Sequence, residues 1–201
     1  MDFWGGIEMN KTQLLNELKK EVEKCRRCPL YKTRTKVVFG TGSMDARLMI
    51  VSEAPGYWED QKGEPFVGAA GKVLNELLES IEVKREEIYI ANILKCRPPS
   101  NRNPQKEEIE ACASYLDRQI EIIKPEVICT LGNYSTKYIF EKYALEKQIQ
   151  GISKIHGKVF EPKTLFESIK IIPLYHPAVA TYNPNMKETL KEDFKILEKF
   201  K

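Results

Sequence analysis

Three polar side chains of different chemistry stand at the ends of short apolar runs: Glu53 after RLMIV, Asn92 inside EIYIANIL, and His176 after KIIPLY. A carboxylate can place a water or stabilise a cation. An amide can donate and accept side by side, and an imidazole can donate to an oxygen on which negative charge is building. Each run has the length and composition of a buried strand, and the first is broken at once by Ser52-Glu53-Ala54-Pro55-Gly56. Ligands of parallel sheets bind beyond the carboxyl ends of the strands. Glu53, Asn92 and His176 are therefore expected to meet on one rim, which is the strongest indication of an active site that the residues themselves give.

The cysteines form a second constellation. Cys25-Arg-Arg-Cys28-Pro29 is a C-x2-C clip, Cys96 follows the second apolar run, and Cys112 comes sixteen positions later in a helical segment. The first residues, Met1 to Asn10, do not read as a secretory signal, so the chain is expected inside the cell. There, five cysteines point to metal or catalysis rather than disulfides. Structural zinc sites usually take two close pairs, whereas one pair with two single ligands suits a four-cysteine iron–sulfur cluster. Cluster, zinc and free buried thiols all stay open on spacing, with the cluster first. Cys129, inside VICTL, reads as a small core residue and is left out.

The elements that must position these groups are legible in the pattern. KTQLLNELKKEVEK is an amphipathic helix leading into Cys25, with Thr12 as its expected cap. GKVLNELLESI is a helix, as is PQKEEIEACASYLDRQIEIIK, with Pro104 in its first turn. VICTLG is a further strand, Tyr134 to Tyr143 a short helix, Gly151 to Phe160 a hairpin, and 187–200 a closing helix. Strands alternating with helices predict a three-layer α/β/α sandwich around a mainly parallel, four-stranded sheet. One domain over 1–201 is expected, with the helix and cysteine clip of 11–36 packed on it. The net charge of +3 does not by itself announce a nucleic-acid binder, and no run is long enough to span a membrane.

Four fragments in series, Ser52-Glu53-Ala54-Pro55-Gly56, Gly63-Glu64-Pro65-Phe66-Val67-Gly68, Ala91-Asn92-Ile93-Leu94-Lys95-Cys96-Arg97-Pro98-Pro99 and His176-Pro177-Ala178, interleave with the cysteines. In order and spacing they resemble the family 4 uracil-DNA glycosylases, over roughly Cys25 to the C-terminus. One departure is Ser52, where the family usually has glycine; it slightly crowds the backbone near the substrate.

The resemblance implies removal of uracil from DNA by cleavage of the N-glycosidic bond, in a prokaryotic cell, with a structural [4Fe-4S] cluster on Cys25, Cys28, Cys96 and Cys112. Glu53 and His176 would be catalytic, the first toward water and the cationic sugar, the second toward uracil O2. Glu53, Ala54, Gly56, Phe66, Asn92 and His176 would hold the base, with Asn92 reading O4 and N3–H and Phe66 stacking on the ring. Tyr57 or the backbone of the 53–57 turn would exclude the thymine methyl. Arg97, Arg102, Ala178 and Val179 would meet the DNA, the last two as a wedge, and Arg26, Arg27, Lys32, Arg34 and Lys36 would extend a basic face. His156 reads as structural or DNA-facing. Pro98 to Pro104 contains no histidine of the kind with which a related group traps the abasic sugar, so hydrolysis and release are expected. The partner is uracil-containing DNA, single- or double-stranded, a replication sliding clamp is the protein partner considered, and the enzyme is expected to act as a monomer. The rival readings are an iron–sulfur redox protein and a DNA-binding protein without glycosylase activity.

Overall fold

The computed structural model describes residues 10–163 and 169–200. Helix α1, Lys11–Glu23, is capped by Asn10, not Thr12. The Asn10 side chain accepts from Gln13 N–H at 3.0 Å and the Gln13 side chain accepts from Asn10 N–H at 3.1 Å, a reciprocal box that needs a partner three residues on. Leu15, Leu18 and Val22 are buried on one face of α1.

Strand β1 is Thr41–Gly42 and β2 is Leu48–Ser52; after them come helices α2, Tyr57–Lys62, and α3, Ala69–Ser80. Strand β3, Tyr89–Asn92, leads to helix α4, Lys106–Ile123, which packs against α1. Pro104 precedes this helix: Gln105 caps it in a box with Glu108. Strand β4, Val127–Leu131, is followed by α5, Asn133–Lys142, and by α6, Ile152–Ile155. Strand β5, Lys170–Leu174, is followed by α7, Val179–Tyr182, and α8, Met186–Lys195. The closing helix is shorter than its sequence pattern, because Ile196–Phe200 tightens into a 3-10 turn.

Among the described residues the sheet has five strands, in the order β1-β3-β2-β4-β5. The four expected strands pair in parallel, and β1 adds an antiparallel edge on β3. Two residues leave no periodicity to read, which is why this fifth strand escapes the sequence pattern. Its Gly42 has φ +126°, and a Cβ there would lie 1.8 Å from the Ile88 carbonyl oxygen. Only glycine brings the edge in that close.

Successive residues of the central strands enter opposite cores. Met49, Val51, Tyr89 and Ala91 face α1, α4 and α5, whereas Leu48, Ile50, Ile88 and Ile90 face α3 and α8. Apolar side chains on both faces are what helices on both sides of a parallel sheet demand. The hairpin expected at Gly151 to Phe160 is absent. Ile152 and Ile155 are three apart, the spacing of a helical turn, and form α6, while Phe160 makes a single antiparallel bridge to Ile171. His156 closes α6 onto α8, its Nδ1 lying 2.9 and 2.8 Å from the two Asp193 carboxylate oxygens; its role there is structural. No helix among the described residues is long and apolar enough to cross a membrane.

Candidate active site

The parallel register sets the rim. Ser52 at the end of β2 stands opposite Asn92 at the end of β3. Beyond them Ile93 N–H donates to Ser52 O at 2.9 Å and Leu94 N–H to Glu53 O at 3.0 Å. Glu53 and Asn92 are thus fixed side by side by backbone bonds. His176 arrives from the far side, two residues beyond β5. Between them, β4 is followed by Gly132, whose φ of +87° turns the chain directly into α5. A Cβ there would meet the His176 Cβ at 3.6 Å, so β4 contributes space to the rim instead of a functional side chain.

These ends enclose a pocket of about 360 Å³ whose lining includes Ser52, Glu53, Ala54, Phe66, Asn92 and His176. Gly56 and Ala178 also border it, as do Arg102 and the Pro98–Asn101 turn. Its size falls in the range of small-ligand sites, about 300–1,000 Å³. The Asn92 side chain is buried and the Glu53 side chain half-buried, and neither makes a side-chain hydrogen bond to the described residues. Burial pushes the Glu53 carboxyl up from its ordinary value. An acid and an amide whose hydrogen-bonding capacity is unspent inside a pocket are poised for a ligand.

His176 is oriented more tightly. Its Nδ1 accepts from Ala178 N–H at 3.1 Å, and its Nε2 lies 3.1 Å from the Ser52 hydroxyl. The first bond fixes the neutral tautomer, so the proton is carried on Nε2 and points into the pocket. Enclosure lowers the imidazole to about 4, against a weak opposing pull from Glu59, and the ring stays neutral near pH 7. Ser52, which sequence reasoning treated only as crowding, thus supplies the resting partner of His176.

The Phe66 ring stacks on His176 with centroids 5.5 Å apart and planes at 27°. Its backbone is held at φ +54°, a left-handed conformation that a bulky residue adopts only when its surroundings impose it. Three groups impose it. Arg85 donates to the carbonyls of Phe66 and Pro65 at 2.9 and 2.7 Å, and Glu59 accepts from the backbone N–H groups of Val67 and Gly68 at 2.8 and 2.9 Å. Gly71 lets α3 close in, since a Cβ there would sit 2.0 Å from the Phe66 carbonyl oxygen. Glu59 and Arg85 were missed by the sequence reading: Glu59 is one helical turn past the motif, and Arg85 lies nineteen positions after Phe66 with no local signal.

The four cysteines line one further pocket together with Arg27, Arg34, Lys95 and Tyr115. N–H groups point at three of the sulfurs: Arg34 Nη1 to Cys96 Sγ at 3.2 Å, Lys95 N to Cys112 Sγ at 3.3 Å and Arg27 N to Cys25 Sγ at 3.5 Å. Burial pushes up Cys28 and Cys96, and Cys112 to about 11; for Cys25, hydrogen bonds from Tyr115 and Arg27 outweigh burial and bring it down. Arg27 also lies 4.0 Å over the Tyr115 ring and Arg34 also donates to Glu23 O, so both serve the cysteine site ahead of any phosphate. Cys129 is buried in the other core and takes no part. Lys95, fully buried, ties the two sites together, its Nζ donating to Asn92 O at 2.8 Å and to Gln119 Oε1 at 2.6 Å.

The remaining expectations divide. Arg97 does not line the pocket but donates to the Oδ1 of Asn101, which does, at 2.7 Å. Arg102 grips Glu108 through both terminal nitrogens, at 2.9 and 2.6 Å, which engages its charge inside the protein. Ala178 borders the pocket, but Val179 is partly buried against the core behind it. Tyr57 does not line the pocket and is 47% exposed; the backbone of 53–56 is what bounds that side.

The model of the uracil DNA glycosylase superfamily matches residues 39–200, which hold every residue of this pocket. The chain belongs to that superfamily. Among its relatives, a type-4 uracil-DNA glycosylase of Archaeoglobus fulgidus is 48% identical over 181 residues, covering 90% of each chain. One from Sulfurisphaera tokodaii is 48% identical over 90% of this chain and 82% of its own. One from Thermotoga maritima is 38% identical over 94% of this chain and 96% of its own. Within the superfamily the chain thus stands with the type-4 uracil-DNA glycosylases. The superfamily match begins at Phe39, after the Cys25–Cys28 clip.

Proposed function

We infer that the chain excises uracil from DNA, hydrolysing the bond between base and deoxyribose and leaving an abasic site. The observation that carries this reading is the convergence of Glu53, Asn92 and His176 on one pocket, the acid and the amide unpaired and the imidazole with its proton facing inward, within a type-4 uracil-DNA glycosylase relationship. A base flipped out of the DNA stack and seated there would lie against the Phe66 ring. Its Watson–Crick edge would meet the Asn92 amide, whose donor and acceptor match O4 and N3–H; cytosine presents the reverse at both positions. As the bond between C1′ and N1 breaks, negative charge moves onto uracil O2, where His176 Nε2–H donates, and positive charge appears on the sugar, where the Glu53 carboxylate faces it. Water adds at C1′, its proton passing to solvent through Glu53.

The cysteine pocket fits an iron–sulfur cluster. Four thiols surround it with N–H donors aimed at three sulfurs, the outer contacts that stabilise cluster thiolates. One close pair, Cys25 and Cys28, with two single ligands, Cys96 and Cys112, is a layout that suits a cluster better than the two close pairs usual for structural zinc. Cys25, Cys28, Cys96 and Cys112 would hold it. Bound there, it would supply a thiolate-ligated staple joining the clip after α1 to β3 and α4. Purified protein is expected to be brown with charge-transfer absorbance and four irons per chain by metal analysis, as four cysteines ligate one [4Fe-4S] cluster; a colourless protein with one zinc per chain would refute this.

The enzyme reading is tested by incubating the protein with a uracil-containing oligonucleotide and heating in alkali. Strand cleavage at the uracil, with free uracil released, is expected. Folded, metal-loaded protein that leaves the strand intact would end the proposal, and a redox or purely DNA-binding role would then take its place.

A further inference from the structure

The chain places two large aromatic side chains in water at the edge of the pocket. Tyr57 is 47% and Trp58 56% exposed, their rings in edge-to-face contact at 5.1 Å and 79°. A tryptophan left more than half exposed keeps a large apolar surface in water, which folding ordinarily removes. Neither ring belongs to either core. The pair opens α2 between Gly56 and Glu59, both of which line the pocket, and the flank of Trp58 lies against Gly68, where an added Cβ would be 3.4 Å from Trp58 Cδ1.

The patch is also cationic. The Arg97 guanidinium lies 5.1 Å over the Tyr57 ring and is oriented by Asn101 of the pocket wall. The carboxylates of the same helix do not cancel it. Glu59 is turned inward to Val67 and Gly68, and Asp60, buried, accepts from Thr35 N–H at 2.9 Å. Two exposed rings and a guanidinium, continuous with a pocket sized for one base, have the composition of a stacking platform on a nucleic-acid path.

We propose that Tyr57, Trp58 and Arg97 form a stacking subsite for the unpaired base next to uracil in single-stranded DNA. The proposal rests on the glycosylase reading, since uracil in the pocket is what brings its neighbour to the mouth. In a duplex the flanking base keeps its own stacking and pairing. In a single strand its face is free, and stacking on an aromatic side chain binds it irrespective of sequence. The subsite therefore favours single-stranded over duplex substrate.

The test is Trp58→Ala assayed on a single-stranded uracil oligonucleotide and on a G·U duplex. We expect KM for the single strand to rise on the order of tenfold, as loss of one stacked base implies, with the loss falling on KM rather than kcat and with a much smaller rise for the duplex. Trp58→Phe should recover most of it. In a Trp4→Phe background Trp58 is the sole tryptophan, and its fluorescence should be quenched on titration with oligothymidylate, which contains no uracil. An unchanged single-strand KM, or equal losses on both substrates, would overturn the subsite. Wild-type protein that releases no uracil would instead overturn the glycosylase reading, and the quenching titration would still decide whether Trp58 stacks on single strands.

Discussion

Asn92→Ala is expected to lower the rate of uracil release on the order of 10²-fold, the loss seen when one hydrogen-bonding group is taken from a preorganised site. That corresponds to about 2.7 kcal/mol of transition-state stabilisation. The argument is one of unspent capacity. The Asn92 side chain lies at the end of β3 on the pocket wall and makes no hydrogen bond to a described protein group, so its donor and acceptor are both available to a ligand. A pocket built to bond two edge atoms of a base rejects or releases what it cannot pair. The fold should survive the change, because the strand end is held by the backbone: Ile93 N–H to Ser52 O, and Lys95 Nζ to Asn92 O. Single-turnover rates on uracil DNA, with the unfolding midpoint measured alongside, separate the two effects. Wild-type turnover in the variant would mean that base recognition lies elsewhere.

How much of this was legible without coordinates differs between the backbone and the side-chain contacts. The four parallel strands announced themselves because a strand covered on both faces is a continuous apolar run, and the polar residues at the ends of three of them had to emerge at the same edge. The rim of Glu53, Asn92 and His176 was therefore readable from sequence order alone. What was not readable depends on contacts between segments far apart in the chain. Nothing near Arg85 reveals that its guanidinium holds the Phe66 carbonyl, and nothing near Ser52 reveals that its hydroxyl faces a histidine 124 positions later. The partners of the basic side chains were hidden for the same reason. Arg27, Arg34 and Arg102 sit in a sequence that looks like a phosphate-binding face, yet each guanidinium has a partner within the chain: the Ser114 hydroxyl and Tyr115 ring, the Cys96 sulfur and Glu23 carbonyl, and the Glu108 carboxylate. Arg97 is the one of the four that lies over an exposed ring.

His176→Ala is expected to cost a comparable factor, on the order of 10²-fold, by removing the donor to the departing base, and its pH signature distinguishes this role from that of an imidazolium. A histidine that acted as a cation would give wild-type protein a rate that falls as pH rises through about 6.5. Enclosure holds this one at about 4, so no such limb should appear between pH 5 and 8, and the acid limb should instead follow Glu53, displaced upward by burial. Stability carries the same signature. With His176 at about 4 folded and 6.5 unfolded, the unfolded chain binds more protons between those values, so this residue's contribution is complete above 6.5 and is lost as pH falls toward 4. His176→Ala should therefore blunt the drop in urea midpoint between pH 7 and pH 5. A rate limb near 6.5 in the native protein, abolished by the substitution, would show that the ring works charged and that the neutral donor described here is wrong.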